Sequence, residues 1–570
     1  MRNIAWRSWG DSAFAESKES GKPVMLSISA VWCHWCHVMD QKTYSDPKVI
    51  EIINRDYIPI RADADREPDI NTRYNMGGWP STVFLTAERD VLTGATYMPP
   101  DQMLIVLDRV ARAYVEQTDE LREKAKQARV ETEESFSNGS LGGAIQAGDF
   151  EKVLDICRSS YDVQHGGFGI SQKFPHPSAL ELLLFSYEST GNEGDLKMVT
   201  QTLDSMIAGE VFDHVEGGMF RYATLRDWTA PHYEKMLTDN ARIATVLLDT
   251  YRLTSGVEYL ETARLAFSYM EKSLMDCQTG LFHGSQDAGE DYYKADSGAR
   301  ASLTPPLVDP ALYVDSNATL ARAYLKLYGI GKDIAARDKA LRIVGHLNHL
   351  SRTEDGCVCH YVDCGEPQGF GILSDAAELV LSNVACAQAT GDDTYVRAAQ
   401  EMLESVFSEF GSEAWAFYDV SATRADTRGL TRYSAPMEEN AALAIAFLKL
   451  ADITEDEAYR LSARRVLDAL ASQVKSYGIM ASSYALALGM LDAAPVLVTV
   501  HADPGTEEAD AFIQASLGAC GPNCTVRTVA LESGEPAATV CLGRACRIRV
   551  TDPDEVAQAL EELAADRARV

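Results

Sequence analysis

From Met1 to about Thr132 the chain alternates short apolar runs with amphipathic stretches. Pro23-Val24-Met25-Leu26-Ser27-Ile28-Ser29 reads as a buried strand and Tyr57 to Asp63 as a second, where Pro59, which cannot donate to a ladder, marks an edge or a strand entry. Val83-Phe84-Leu85 and the stretch from Val91 to Tyr97 read as a third and a fourth, joined by the turn-like Ala87-Glu88-Arg89-Asp90. A helix is expected over 33–54 and a closing helix over 101–132, which together make a small α/β sandwich.

From 149 to 494 the pattern becomes helical and repeats. Thr190 and Thr254, and again Thr390 and Thr454, stand at the ends of helices with the same spacing in each pair. Turn-like Gly166-Gly167-Phe168, Gly217-Gly218-Met219-Phe220 and Thr279-Gly280-Leu281-Phe282 punctuate the series. A repeat of about sixty residues, two helices long, cannot bury its apolar faces alone and must stack on its neighbours. Roughly six helix pairs fit the span, which predicts an (α/α)6 toroid with an open solenoid as the alternative. The last residues return to α/β, with strands expected at Pro495–Val500, 525–530 and 538–541 and helices over 507–517 and 554–563. The chain therefore reads as multidomain: an α/β domain over 1–132, an all-α toroid over 149–494 and a small α/β accessory domain over 495–570.

The composition fits a globular chain of 570 residues, 46% hydrophobic and 24% charged. Its formal charge of −32 repels phosphate backbones and anionic lipid, so nucleic acid and membrane surfaces are not expected partners. No apolar run approaches the length of a bilayer span, and the start of the chain lacks a signal-like core, so a cytoplasmic location is expected. Twelve cysteines are too sparse for a disulfide scaffold.

Trp32-Cys33-His34-Trp35-Cys36 falls where a buried strand gives way to a helix. There the first thiol lies over unpaired helix N–H groups that favour its thiolate, and the second lies one turn on, placed to resolve a mixed disulfide. His34 between them would tune the couple. A metal held by Cys33, Cys36 and His34 or His37, or plain buried thiols, are the alternatives. Gly77-Gly78-Trp79-Pro80 places a proline just before a strand, where a cis bond at Pro80 would turn backbone toward a thiol substrate.

These motifs, with Asp63 to Asp69, resemble the thioredoxin-like domain of a family that joins it to a six-hairpin, glycosidase-type toroid and includes the spermatogenesis-associated thioredoxin-domain protein of animals. Lys173-Phe174-Pro175, Trp228 to Leu237, Asp239-Asn240-Ala241 and Cys541-Leu542-Gly543-Arg544-Ala545-Cys546 extend the resemblance over nearly the whole chain, with a departure at Phe220, where the family pattern has His. The resemblance implies a thioredoxin fold over 1–132 and a carbohydrate-enzyme type of toroid.

Within the toroid, Pro231-His232-Tyr233-Glu234-Lys235 reads as a helix start that brings His232, Glu234 and Lys235 to the mouth of a central pocket, with Asp239 and Asn240 further in. Asp213, Trp228, Asp287 and Tyr292 lie in turns expected at the same end, and with Tyr233 they complete the aromatic walls and acid–base groups of a saccharide pocket. The alternative for His232, Glu234 and Lys235 is a hydrogen-bonded cluster that stabilises the helix start. Cys357, Cys359 and Cys364 read as thiols in a turn, with a metal held by them and His360 as the alternative. Cys520, Cys524, Cys541 and Cys546 read as free or redox-coupled thiols, with a four-cysteine metal site as the alternative.

The reading that follows is a thiol–disulfide redox protein, with Cys33 attacking, Cys36 resolving, His34 tuning and Pro80 positioning. It needs no cofactor or metal, takes a protein thiol or disulfide as partner, and leaves a saccharide as a possible second ligand. A glycoside hydrolase or sugar epimerase with a regulatory dithiol domain, and a non-catalytic scaffold, are the alternatives.

Overall fold

The protein is described by a computed structural model over residues 3–116, 118–137, 141–350, 352–543 and 545–567, so Arg544 lies outside the described residues. The chain divides into two compact units. The first comprises Met1–Ser140, Gly369–Ile372 and Tyr418–Ser434; the second holds the rest.

In the first unit the order is α1 (Asp11–Ser20), β1 (Val24–Ser29), α2 (His34–Lys42), α3 (Pro47–Asp56), β2 (Ile58–Asp63), α4 (Pro68–Tyr74), β3 (Ser81–Leu85), β4 (Val91–Ala95), α5 (Pro100–Glu116) and α6 (Thr118–Ser137). The sheet runs β2-β1-β3-β4, with β2 parallel to β1 and the other neighbours antiparallel. Pro59 accordingly sits in an edge strand. The helix expected over 33–54 is two helices: Asp46 caps the second by accepting from the amides of Lys48 (2.8 Å) and Val49 (3.2 Å), and Pro47 fixes its first turn. The expected closing helix is described as Pro100–Glu116 and Thr118–Ser137, on either side of Gln117, which lies outside the described residues. Met25, Met39, Val49, Ile53, Phe84, Met103 and Leu107 form the core under the sheet.

The return segment 418–434 belongs to this unit although much of the second unit precedes it in the chain. Arg424 grips buried Asp69 on α4 with two hydrogen bonds of 3.0 Å, Arg428 adds an ion-pair contact at 3.0 Å, and Arg73 pairs with Asp419 at 2.7 Å.

In the second unit six helices pack side by side in a closed ring: α8 (Pro177–Thr190), α10 (Leu237–Thr254), α12 (Val314–Ile330), α14 (Leu373–Thr390), α16 (Met437–Thr454) and α18 (Ser482–Asp492), the last returning to α8. Outside them lie α7 (Asp149–Ser160), α9 (Glu193–Ala208), α11 (Val257–Ser273), α13 (Ile334–Asn348), α15 (Asp393–Ser405) and α17 (Glu457–Leu470), each against an inner helix. The helix expected to open at Pro231 opens at Leu237 instead, because Pro231–His232 and Lys235–Met236 are short strands paired with Tyr222–Ala223 and Ser285–Gln286.

The C-terminal part is a sheet of order β6-β5-β7-β8, with β5 (Val496–His501), β6 (Cys524–Val529), β7 (Ala537–Leu542) and β8 (Ala545–Val550), flanked by α19 (Glu507–Ala519) and α20 (Val556–Arg567). Strand β8 escapes the sequence pattern because Arg547 and Arg549 interrupt its apolar positions. Helix α19 packs on α12 and α14. Gly329 and Gly518 permit that crossing, since a Cβ on Gly518 would stand 2.7 Å from the Gly329 carbonyl oxygen.

Candidate functional site

Cys33 ends the loop after β1 and serves as the N-cap of α2. Its Sγ accepts from the Cys36 amide at 3.3 Å, and its carbonyl accepts from the Cys36 and His37 amides. A sulfur in that place meets the positive end of the helix and is favoured as a thiolate. Cys36 is pushed far above the ordinary thiol range by its hydrogen bond to Cys33 and then by burial, so it keeps its proton. The strand-to-helix placement predicts an exposed first cysteine, but both are buried, at 5% and 3% exposure. Trp35 stands 46% exposed between them, leaning on Tyr97 at 5.1 Å and on His34 at 5.8 Å.

The Trp79–Pro80 bond is cis. Because Ile28 of β1 lies opposite Ser81 of β3, Pro80 falls beside the end of β1 from which the cysteine loop departs. Asn75 shapes this corner by accepting from the amides of Gly77 (2.7 Å) and Gly78 (2.8 Å), and Ser81 closes it on the Gly78 carbonyl at 2.7 Å. Trp79 stacks edge-on against Trp32 at 5.5 Å and donates to Asn71. Asn71 and Asn75 escape sequence reasoning because their role shows only once the loop is closed.

In the second unit a cavity of about 470 Å³ runs inside the helix ring. Its walls carry ion pairs, among them Arg242 with Glu438, Lys326 with Asp249 (2.8 Å) and Arg322 with Glu378 (2.5 Å), beside Thr238, Thr245 and Ser374. The C-terminal part supplies the floor through Leu517, Cys520, Gly521, Pro522 and Cys524. Burial brings the Lys449 ammonium on the wall down to about 8.

None of the residues expected from sequence to build the saccharide pocket lines that cavity. Asp213 and Lys235 face each other instead: Lys235 Nζ donates to Asp213 at 2.7 Å and to the Gly217 carbonyl at 2.8 Å, while Arg300 joins Asp213 at 2.8 Å. Asn240 spends its amide on the backbone of Met219 and Met236. Trp228 is fully buried and donates to the His165 carbonyl, and Tyr292 donates to Glu216. Asp287 caps the Ala288 amide within its own turn. His232 stacks on Tyr222 at 4.6 Å and lies 3.6 Å from Glu234, and Tyr233 stacks on Tyr293 at 5.9 Å. Asp239 alone of the set senses the wall: burial raises its carboxyl, against the opposing pull of Arg221 and Arg242.

His360 and Asp375 form a buried pair at 2.9 Å, and Asp315, which lines the cavity, lies beside them. Among the described residues these three form the grouping close enough to hold a metal; Cys33, Cys36, His34 and His37 do not converge in that way. Burial, with the charge of Asp315, pushes Asp375 up to about 7 against the pull of His360. The sequence offered His360 with Cys357, Cys359 and Cys364 as an alternative metal set, whereas its ring faces Asp375. Cys357 and Cys359 are buried, Cys364 is exposed, and all three are outside any disulfide.

The four C-terminal cysteines, expected as free or redox-coupled thiols, are bonded in two pairs, Cys520–Cys524 and Cys541–Cys546. Each short spacing closes on itself, so they make no four-cysteine metal site.

Comparison with known proteins covers both units. Residues 1–133 match the Thioredox_DsbH family, described as a protein of unknown function, DUF255. This Thioredox_DsbH segment contains the cysteine pair and the cis-proline corner. Spermatogenesis-associated protein 20 of Homo sapiens is 30% identical over 310 residues, 50% of this chain and 39% of the relative. The uncharacterized protein B0495.5 of Caenorhabditis elegans is 30% identical over 308 residues, 50% and 41%. The matched stretch thus spans about two fifths of the curated relatives' length, and the resemblance read from the motifs is borne out. The chain is also similar to the cellobiose 2-epimerase from Bacillus thermoamylovorans B4167, at 13% identity and a TM-score of 0.47, over 58% of this chain and 87% of that one. Among the described residues no helix is long and apolar enough to cross a membrane.

Proposed function

We propose that the Thioredox_DsbH segment exchanges thiols and disulfides through Cys33 and Cys36. The observation that carries this reading is the cap geometry: Cys33 Sγ sits on the amide of Cys36 at the start of α2, while Cys36 is held protonated. The Cys33 thiolate attacks one sulfur of a substrate disulfide, forming a mixed disulfide and expelling the other sulfur as a thiolate that takes up a proton. Cys36 then loses its proton and attacks Cys33 Sγ, which releases the substrate as a dithiol and leaves Cys33–Cys36 oxidised. Two electrons pass to the substrate. His34, the first residue of α2, and Pro80 border the pair. Exposed Trp35 gives an apolar platform for a protein partner.

The test is reduction of insulin or of glutathione disulfide by the reduced full chain. Cys33→Ser should lower the rate by about a hundredfold or more, and Cys36→Ser should accumulate the mixed disulfide. Undiminished exchange by Cys33→Ser overturns the reading.

The ring cavity supports a second reading, binding of a saccharide or similar polyol, because paired charges and hydroxyls alternate there with aliphatic walls. Calorimetry with a panel of mono- and disaccharides tests it, comparing the native chain with Glu438→Gln and checking the fold by circular dichroism. Absence of heat with every sugar returns the unit to a scaffold.

A further inference from the structure

The two C-terminal disulfides differ in access. Cys520 and Cys524 are 7% and 8% exposed and lie at the floor of the ring cavity. Cys541 and Cys546 are register partners on β7 and β8, and β8 is the outermost strand of its sheet. Cys541 is 1% exposed, whereas Cys546 is open to solvent.

The face on which this disulfide stands is polar. Thr539 lies two residues before Cys541 on the same face, and the strand partner of Thr539 is Arg549, which is exposed. Thr539 is bonded to His501, whose ring is pushed down by burial and then by the charges of Arg549 and Arg527, so all three side chains share this surface. Arg527 is paired with Glu455, while exposed Arg549 adds a cation to the face on which exposed Cys546 stands, which favours the approach of a thiolate. The β7–β8 ladder shifts register between Val540 and Cys541, so the two cysteines face each other just past an irregular step in the pairing.

We infer that Cys541–Cys546 is a thiol–disulfide exchange site, and that it is a substrate of the Cys33–Cys36 dithiol, supplied by the same chain or by a second copy. The inference rests on the exchange reading of Cys33 and names its partner. Cys33 attacks the exposed Cys546 sulfur; the Cys541–Cys546 bond breaks, a Cys33–Cys546 bond forms, and Cys541 leaves as a thiolate that takes up a proton. Cys36 then attacks Cys33, frees Cys546 as a thiol and becomes the oxidised partner. The outer edge of β8, with backbone groups unpaired in its sheet, lets the segment enter a reaction site in extended form.

The test uses the full-length Cys36→Ser chain, prepared without reductant and digested under non-reducing conditions for peptide mass spectrometry. The expected result is a Cys33–Cys546 linked peptide that disappears in Cys36→Ser/Cys546→Ser. Mixing isotope-labelled with unlabelled chains separates the sources, because hybrid linked peptides arise only between copies. In the otherwise native protein, Cys33→Ser should slow reduction of Cys541–Cys546 in a glutathione buffer by at least about tenfold. Linkage of Cys33 to Cys520 or Cys524, or an intact Cys541–Cys546 pair in a chain that still forms a Cys33 adduct with glutathione disulfide, overturns the inference and leaves the exchange reading standing. Failure to form even that adduct overturns both.

Discussion

Lys235 and Asp213 meet at 2.7 Å beneath a hairpin turn, and Lys173 and Asp162 repeat the pairing at 2.9 Å beneath the preceding one. In each turn the amide of the first glycine donates to the aspartate carbonyl, from Gly217 to Asp213 and from Gly166 to Asp162, while a lysine fills the concave side. Recurrence in neighbouring repeats marks the pair as part of the turn's construction. Asp213→Ala leaves Lys235 buried without its carboxylate and Arg300 with Glu216 alone, and should cost about 3–5 kcal/mol of stability, read from urea denaturation. A loss below about 1 kcal/mol would return Asp213 and Lys235 to the candidate ligand site.

Asn240, Asn317 and Asn440 each occupy the fourth position of an inner helix and latch the preceding hairpin. Their side-chain oxygens accept from Met219, Phe282 and Phe417 amides, and their side-chain nitrogens return to the carbonyls of the same three residues. Replacing any one by Ala strands a buried amide and carbonyl. Three similar losses of about 1–3 kcal/mol each are expected in thermal or urea unfolding. A neutral result at Asn240 alone would set it apart from the other two.

Asp375 makes stability depend on pH in the acid range. Its folded carboxyl keeps the proton up to about 7, whereas the unfolded chain releases it near 3.8. Between those values the folded state binds the extra proton, so this contribution is complete below about 4 and is lost as pH rises through about 7. Urea midpoints of the native chain minus those of Asp375→Asn should fall across that window. A flat difference would mean that His360 holds the carboxylate ionised.

The return segment depends on Asp69. With that carboxylate 2% exposed between Arg424 and Arg428, Asp69→Asn should loosen residues 418–434 and speed tryptic cleavage there by about tenfold or more, with the rest of the chain cut as before. Unchanged cleavage would show that Arg73–Asp419 and Arg428–Glu67 hold the segment without Asp69.

Limited alkylation should find Cys33 before Cys36. Both are buried, so labelling is slow in absolute terms, but Cys33 has the cap amide and Cys36 keeps its proton. A ratio of about ten in the labelling rates is expected by peptide mapping. Equal rates would remove the asymmetry on which attack by Cys33 rests.

What the sequence determines by itself is local. The alternation around β1 and β3 and the cysteine pair at a strand-to-helix junction rest on interactions within a few residues, as does the two-helix period. Each survives whatever the rest of the chain does. Even so, a single helix over 33–54 overreaches, because Asp46-Pro47 carries its own cap signal. The tertiary structure decides which polar groups meet. Asp213, Lys235 and Asn240 have the residue types of a ligand site, and only packing shows them turned onto a hairpin, while Glu438 and Arg242, far apart in the chain, come together on the cavity wall. The same holds for Arg424 on Asp69 and for His360 on Asp375. A buried charge takes the partner that packing brings to it, and periodicity along the chain carries no record of contacts between distant segments.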